Sequence, residues 1–349
     1  MIFAFRNLLR RSIAMFRAVE AAPHECSLRP RQGLRAVAGY ENAQAALNGW
    51  IEAAGPVVEK IYGTSEASWA QVRTDYMSGL GHLFPALKDV SYGTATLDSV
   101  PTMTAVPEGS EPQRVLLYIH GGGYVHGGVE GYRGLTGRLA KALNAKIYAP
   151  DYRQAPEFPF PTPIDDVFAA YRAILSSGVD PKNLVLAGDS AGGAMVVTMM
   201  RKARNAGIAL PAAGVAFSPW ANLTHSGRSA TVRDGIDPLC SVEFLNKLAR
   251  MFLAGELPTH PDASPVFADV HDLAPVLIQI GENEVMLSDA IRLASNLGEA
   301  RVRTSLEVWP GMFHVWHLLA GVLPEADQAI LNAVRFLDDA LTSTARTGL

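Results

Sequence analysis

Cysteine is scarce in this sequence: Cys26 and Cys240 are the two that occur among 349 residues. They lack the short spacing of metal-binding motifs, so we expect two free thiols in a reducing compartment, which predicts a cytoplasmic protein. No apolar run reaches the roughly 18 residues that a membrane-spanning helix needs, which argues against stable membrane insertion. A formal net charge of −4 lacks the basic excess of nucleic-acid-binding proteins and argues against nucleic acid as a partner.

The remaining composition is that of a well-buried globular protein. Apolar residues make up 48% of the chain and charged residues 18%, proportions that predict a packed core rather than a disordered chain. A chain of this length forms either one large α/β domain with an elaboration or two ordinary domains.

The first 35 residues differ from the rest of the chain. They carry seven arginines against two acids, Glu20 and Glu25. Apolar positions among the arginines could form one face of a helix, which is typical of a membrane-surface or targeting segment. The segment lacks the uninterrupted apolar core of a secretory signal. We therefore favour a poorly ordered extension, or an amphipathic helix packed on the body of the protein.

Helical patterns, a hairpin and then an alternation of strands and helices follow. Residues 36–88 have helical periodicity, and Val90–Val106 is predicted to form a β-hairpin. From Arg114 onwards short apolar strands alternate with amphipathic helices, which predicts an α/β fold whose mostly parallel sheet is covered on both faces. The stretch Trp220–Pro265 interrupts this alternation and is predicted to be an insertion at the carboxyl edge of the sheet.

A Gly-x-Ser-x-Gly pattern, Gly188-Asp189-Ser190-Ala191-Gly192, lies between an apolar strand and a helical segment. A serine on such a sharp turn needs strained backbone angles, and neighbouring backbone comes so close that only glycine fits two positions before and after it. The turn exposes the serine hydroxyl at the start of a helix, whose first amides favour a developing negative charge. Ser190 is therefore the candidate nucleophile, and Asp189 is predicted to be a structural hydrogen-bonding group.

Three consecutive glycines, Gly121 to Gly123, follow His120 directly after the first buried strand. Such a run cannot stabilise a strand or a helix, so we expect a loop whose amides approach a ligand. A phosphate-binding loop is the competing interpretation, but the lysine and serine or threonine that end it are missing. Paired with the serine turn, the loop predicts an oxyanion hole made by the amides of Gly121, Gly122 and Ala191. His120 is expected to brace this loop.

These motifs, together with Asp151-Tyr152-Arg153 and Ser218-Pro219-Trp220, resemble the bacterial hormone-sensitive-lipase-like (family IV) esterases of the α/β-hydrolase superfamily. The resemblance runs from about residue 114 to the C-terminus. It implies an α/β-hydrolase fold with a helical cap, no cofactor, no metal and a possible homodimer. Residues 1–35 would be an extension, 36–88 the first part of the cap, and 89–349 the catalytic domain with a cap insertion at about 220–265.

The family order of serine, acid and histidine selects the candidate base. His314 lies in a loop directly after the last predicted strand, from which it can reach the serine, whereas the alternative His317 is expected to pack on the following helix.

The candidate acid is Glu284, which aligns with the aspartate of the family and precedes His314 by 30 residues. Glutamate departs from the usual residue. Asp289 is the alternative, although we expect it on a helix, and Glu282 points along the end of the strand. Asp237 starts an Asp-Pro-Leu motif that resembles the family signature, but it lies in the presumed cap insertion and is not selected.

These residues predict a serine carboxylesterase that acts on short- to medium-chain acyl esters. His314 would deprotonate Ser190, Glu284 would orient the imidazole, and water would hydrolyse the acyl-enzyme. A lactonase or an amidase could use the same triad. A ligand-binding receptor of the same fold is the non-enzyme alternative, favoured only where the triad is broken.

Overall fold

The computed structural model describes residues 38–346 of the chain. Within them the strands are β1 (Val90–Leu97), β2 (Val100–Pro107), β3 (Arg114–Ile119), β4 (Ala145–Pro150), β5 (Leu184–Asp189), β6 (Ala213–Phe217), β7 (Val276–Gly281) and β8 (Thr304–Trp309). The α-helices are α1 (Ala38–Ala53), α2 (Gly55–Ile61), α3 (Trp69–Leu83), α4 (Arg133–Leu143), α5 (Thr162–Ser176), α6 (Ala191–Asn205), α7 (Ser229–Val232), α8 (Val242–Leu253), α9 (Leu287–Glu299) and α10 (Pro324–Arg346).

The strands form one sheet in the order β1-β2-β4-β3-β5-β6-β7-β8. The hairpin β1–β2 pairs antiparallel, as does β2 with β4, and every other neighbouring pair is parallel. Strands β5, β6 and β7 are buried along their whole length, whereas the edge strand β8 is partly exposed. This is the α/β-hydrolase type of sheet, mostly parallel and flanked by helices, that the alternating sequence pattern predicts.

The strand order places a crevice at the carboxyl ends of β3 and β5. The chain passes from β3 to β4 on one side and then crosses to β5 on the other, so the loops after β3 and β5 diverge. Open α/β sheets bind their ligands at such a switch point. The glycine loop follows β3 and Ser190 follows β5, so the topology brings the two sequence motifs together.

Helices α1 to α3 lie N-terminal to the sheet and are held against its body. Trp50 Nε1 donates a hydrogen bond to Tyr76 Oη at 2.8 Å and joins α1 to α3. Arg73 on α3 donates to the carbonyls of Val125 and Ala155 at 2.7 and 2.8 Å, and also pairs with Glu157. A guanidinium satisfied by several acceptors fixes both position and orientation.

The short helix α2 begins at Gly55, two residues after the end of α1. Pro56 occupies the first turn of this helix, where its missing N–H costs nothing because that amide has no acceptor within a helix. A proline at such a position therefore starts a helix rather than ending one.

No helix within residues 38–346 is long and apolar enough to cross a membrane. The prediction for residues 1–35 concerns positions outside the described residues.

Candidate active site

Ser190 occupies the strained turn that its motif predicts. Its backbone angles are φ 55° and ψ −119°, a conformation that is unfavourable for a residue with a side chain. The flanking glycines are required by close backbone contacts: a Cβ on Gly188 would lie 2.6 Å from the carbonyl oxygen of Gly192, and a Cβ on Gly192 would overlap the carbonyl oxygen of Ile119. The turn is thus built from two glycines that allow the backbone of β3 to approach the start of α6.

Ser190, His314 and Glu284 lie in one hydrogen-bonded row. The Oγ of Ser190 is 3.0 Å from His314 Nε2, and Glu284 Oε2 is 2.8 Å from His314 Nδ1. Glu284 is fully buried, and the other two side chains are 7% exposed. The three follow the carboxyl ends of β5, β7 and β8, and these strand ends lie along the same edge of the sheet. This arrangement of hydroxyl, imidazole and carboxylate has the geometry of a nucleophile with its base and orienting acid.

Ser218 supports this row, a role that the sequence interpretation did not assign. Its Oγ donates to Glu284 Oε1 at 2.7 Å and accepts from the amide of Val315 at 3.1 Å. The second donor to Glu284 Oε1 is the amide of Gly281 at 2.6 Å. Because the lone pairs of the carboxylate are satisfied in this way, its buried charge is stabilised. The sequence feature that could have indicated this role is the position of Ser218 directly after β6, in the Ser218-Pro219-Trp220 motif.

Electrostatics favour the charged form of His314. Burial lowers its pKa, but the Cys240 sulfur and the Glu284 carboxylate beside it raise the pKa by more, so that it lies well above the ordinary value. Burial also raises the pKa of Cys240. The carboxylate that contacts His314 Nδ1 is that of Glu284. An imidazolium is well stabilised at this position.

The residues considered as alternatives for the acid and the base have other partners. Asp289, in the first turn of α9, accepts a hydrogen bond from Asn222 Nδ2 at 3.0 Å. The imidazole of His317 is buried against Gln279 Oε1 at 3.0 Å, and burial places its pKa well below the ordinary value. Glu282 Oε2 accepts from the amide of Gly311. None of these contacts involves Ser190 or His314.

Asp237 lies close to the site. Its place in the sequence assigns it to the presumed cap insertion, and it is not selected there as the acid. A carboxylate oxygen of Asp237 lies within 4.8 Å of a ring nitrogen of His314. Glu284 nevertheless holds Nδ1 of His314, and the nearest groups to Asp237 Oδ1 are the amides of Leu239 and Cys240. The segment before α8 folds back over the carboxyl edge of the sheet and brings Asp237 beside His314.

The amide of Gly121 has partners inside the protein. It donates to Asp189 Oδ1 at 3.1 Å and lies 3.2 Å from Tyr132 Oη. In this structure it is therefore not free to bind an oxyanion, in contrast to the prediction from the sequence. Gly122 and Gly123 instead line the cavity beside Ser190. Ala191, the third predicted donor, is the first residue of α6, where an amide has no acceptor within the helix.

Asp189 and His120 brace the glycine loop from behind. Asp189 accepts hydrogen bonds from Tyr118 and Tyr132 in addition to Gly121, and burial raises its pKa to about 6 while these bonds oppose the rise. The imidazole of His120 stacks on Tyr152 with ring centroids 4.2 Å apart, and its Nδ1 lies 2.8 Å from the carbonyl oxygen of Gly121. Both side chains have the structural roles that the sequence predicts for them.

A narrow cavity of about 80 Å³ opens over Ser190. Its walls come from the N-terminal helices and from the segment around α8, and they are mostly apolar and aromatic. The side chains that form them include Trp50, Val57, Tyr76, Trp220, Phe244 and Leu248. The N-terminal helices and the 220–265 segment thus meet above the same serine. A cavity of this kind, apolar with a few convergent polar groups, is typical of a small-molecule site.

Comparison with known proteins agrees with this geometry. A family described as "alpha/beta hydrolase fold" matches residues 116–318. The structure superposes on a crystal structure of an esterase from the bacterial hormone-sensitive lipase family with a TM-score of 0.80 and 36% identity, covering 86% of this chain and 98% of that one. The chain belongs to the bacterial hormone-sensitive-lipase family. It is also similar to an acetyl-hydrolase of Streptomyces hygroscopicus, 44% identical over 64% of this chain and 75% of the relative. An esterase of Acinetobacter venetianus is 29% identical over 74% of this chain and 85% of the relative.

Proposed function

We propose that this member of the hormone-sensitive-lipase family hydrolyses small carboxylic esters through an acyl-enzyme on Ser190. Its general class is that of the serine carboxylesterases, and its relatives are named an acetyl-hydrolase and esterases. The observation that carries the proposal for these residues is the continuous row of hydrogen bonds from Ser190 through His314 to the buried Glu284.

The reaction follows from the order of these contacts. His314 Nε2 accepts the proton of Ser190 as the Oγ attacks the ester carbonyl, and Glu284 stabilises the imidazolium that forms. The tetrahedral intermediate then collapses, the C–O bond to the alcohol breaks, and the proton passes from His314 to the departing alkoxide. Water attacks the acyl-enzyme in a second cycle of the same kind and releases the carboxylic acid.

We assign the oxyanion hole to the amides of Gly122, Gly123 and Ala191. The two glycine amides replace the pair Gly121 and Gly122 that the sequence pattern predicts, because the Gly121 amide is used by Asp189. Gly122 and Gly123 have φ values of 100° and 58°, which turn this stretch of backbone sharply beside the serine. Donors fixed in this way need no reorganisation when the negative charge develops.

The cavity supports a preference for short acyl chains. Its volume of about 80 Å³ and its walls of Trp50, Phe244 and Leu248 leave little room beyond the reacting carbonyl. The acetyl group in the name of the Streptomyces relative points in the same direction. We therefore expect acetyl and butyryl esters to be hydrolysed faster than long-chain esters, with medium-chain esters between them.

Lactone and amide substrates need the same acyl-transfer machinery, so the triad alone does not separate them from esters. The ligand-binding alternative predicts a broken triad and is disfavoured by the hydrogen bonds at Ser190. A cytoplasmic location, a homodimer and the division into extension, cap and catalytic domain stay predictions.

The test is hydrolysis of p-nitrophenyl esters from acetyl to palmitoyl, with and without a serine-directed organophosphonate, followed by mass mapping of the label. We expect activity that peaks at short chains and a label on Ser190. The variant Ser190→Ala should lose at least ~10³-fold in turnover while it keeps its fold. Full activity of this variant, or a label elsewhere, would refute the assignment.

A further inference from the structure

Three side chains with metal-binding chemistry meet beside Ser190. A carboxylate oxygen of Asp237, the Sγ of Cys240 and a ring nitrogen of His314 all lie within 4.8 Å of one another. Each of these residues is more than nine-tenths buried. Cys240 and His314 also line the substrate cavity, so a small ion can reach the cluster by the route that a substrate takes.

The loop before α8 holds Asp237 in a fixed orientation. Its Oδ1 accepts hydrogen bonds from the amides of Leu239 and Cys240 at 2.9 and 3.2 Å. Its Oδ2 is buried and has no hydrogen-bond partner among residues 38–346, and no lysine or arginine in that range forms an ion pair with it. A buried carboxylate oxygen without a partner is costly, and it indicates a missing donor or cation.

The types of ligand select the class of cation. Thiolate, imidazole and carboxylate together are the ligands of zinc and of cadmium, whereas calcium and magnesium prefer oxygen ligands alone. Three protein ligands leave a fourth position that water fills. The cluster therefore fits a zinc-like ion with one open position.

We propose that Asp237, Cys240 and His314 bind one zinc-like divalent cation and that this binding inhibits the enzyme. On binding, the Cys240 thiol gives its proton to solvent and a metal–thiolate bond forms. Both ring nitrogens of His314 serve the catalytic row, Nε2 towards Ser190 and Nδ1 towards Glu284. A metal on either nitrogen therefore removes the base. The inhibition, but not the metal site, rests on the proposed role of His314.

Binding is tested first, without any measurement of activity. Cadmium is titrated into the full-length protein while the ultraviolet charge-transfer absorbance of a cadmium–thiolate bond is recorded. We expect one ion per chain, loss of the band in Cys240→Ser, and a titration midpoint at least ~10-fold higher in Asp237→Asn. The control is Cys26→Ser, which removes the other cysteine and should keep the band. Circular dichroism shows that each variant is folded.

Inhibition is tested next with zinc on the hydrolysis of p-nitrophenyl acetate. We expect zinc to inhibit and a chelator to restore the rate, and each variant is compared with its own rate in the absence of metal. Cys240→Ser should need at least ~10-fold more zinc for the same fractional loss of its hydrolysis rate.

Each contrary outcome has a separate meaning. A band that persists in Cys240→Ser, or an unchanged midpoint in Asp237→Asn, would overturn the site. Cadmium binding at Cys240 without zinc inhibition would show that His314 is not a ligand. A protein that hydrolyses no ester would contradict the proposed function, and the cadmium titration would still decide whether the metal site exists.

Discussion

The amide of Gly121 donates a 3.1 Å hydrogen bond to Asp189 Oδ1, so the loop after β3 is tied to the residue immediately before Ser190. The same carboxylate accepts from the hydroxyls of Tyr118 and Tyr132. One buried side chain thus sets the distance between the glycine loop and the serine turn.

Replacing Asp189 should therefore affect stability and turnover together. Asp189→Ala leaves two buried tyrosine hydroxyls without their acceptor and removes one of the two acceptors of the Gly121 amide, and we expect a loss of about 3 kcal/mol or more in the free energy of unfolding. Turnover should fall at least ~10-fold as the loop loosens. Asp189→Asn keeps one acceptor oxygen, so its stability and turnover should lie between those of the alanine variant and those of the wild type. Urea unfolding and kcat on p-nitrophenyl acetate measure this; an alanine variant as stable as the wild type would contradict it.

The two candidate acids are separated by a pair of isosteric substitutions. Glu284→Gln should lower kcat by about 10³- to 10⁴-fold, because the amide favours the wrong tautomer of His314. Asp289→Asn is the matched control and should change kcat little, since its carboxylate contacts Asn222 rather than the histidine. Steady-state kinetics on both variants is the measurement. The opposite ranking would assign the acid to Asp289.

Activity should depend on pH through His314. The base must be neutral in the free enzyme, and its pKa is raised well above the ordinary value of about 6.5. The ratio kcat/KM should therefore fall as the pH decreases through a value above 6.5. Glu284→Gln removes the charge partner and should move the acid limb of the residual activity to lower pH. An acid limb that stays in place in this variant would show that another group controls the profile.

Close approach of backbone to Gly192 gives a prediction for folding. A Cβ at this position would overlap the carbonyl oxygen of Ile119, so Gly192→Ala should abolish activity and strongly destabilise the fold. Gly298, near the end of α9, has open space where a Cβ would project. Gly298→Ala should gain roughly 0.4–1 kcal/mol by restricting the unfolded chain. Thermal unfolding of both variants is the measurement. Equal changes in Tm would contradict the argument that the close contact at Gly192 causes the destabilisation.

Much of this site follows from local sequence patterns. The strand-turn-helix around Ser190 and the loop that holds His314 have patterns that depend on a few consecutive residues, so the chain reveals them directly. Glu284 is selected through the resemblance, because it aligns with the aspartate of the family after Gly281.

The remainder depends on contacts between distant segments. Nothing near Gly121 in the sequence indicates that Asp189 accepts its amide, 68 residues away. The support that Ser218 gives to Glu284 joins the ends of β6 and β7, and the position of Asp237 depends on how the segment before α8 folds back. Such pairings are set by strand order and loop path, which periodicity does not encode.

The wall of the cavity consists largely of side chains that precede the sheet or interrupt it, such as Trp50, Val57 and Phe244. The side chains proposed to react, in contrast, follow the ends of strands. Substrate selectivity and reaction chemistry thus depend on separate stretches of the chain. Related enzymes can accept different substrates when the segments that form the cavity wall change and the residues at the strand ends stay the same.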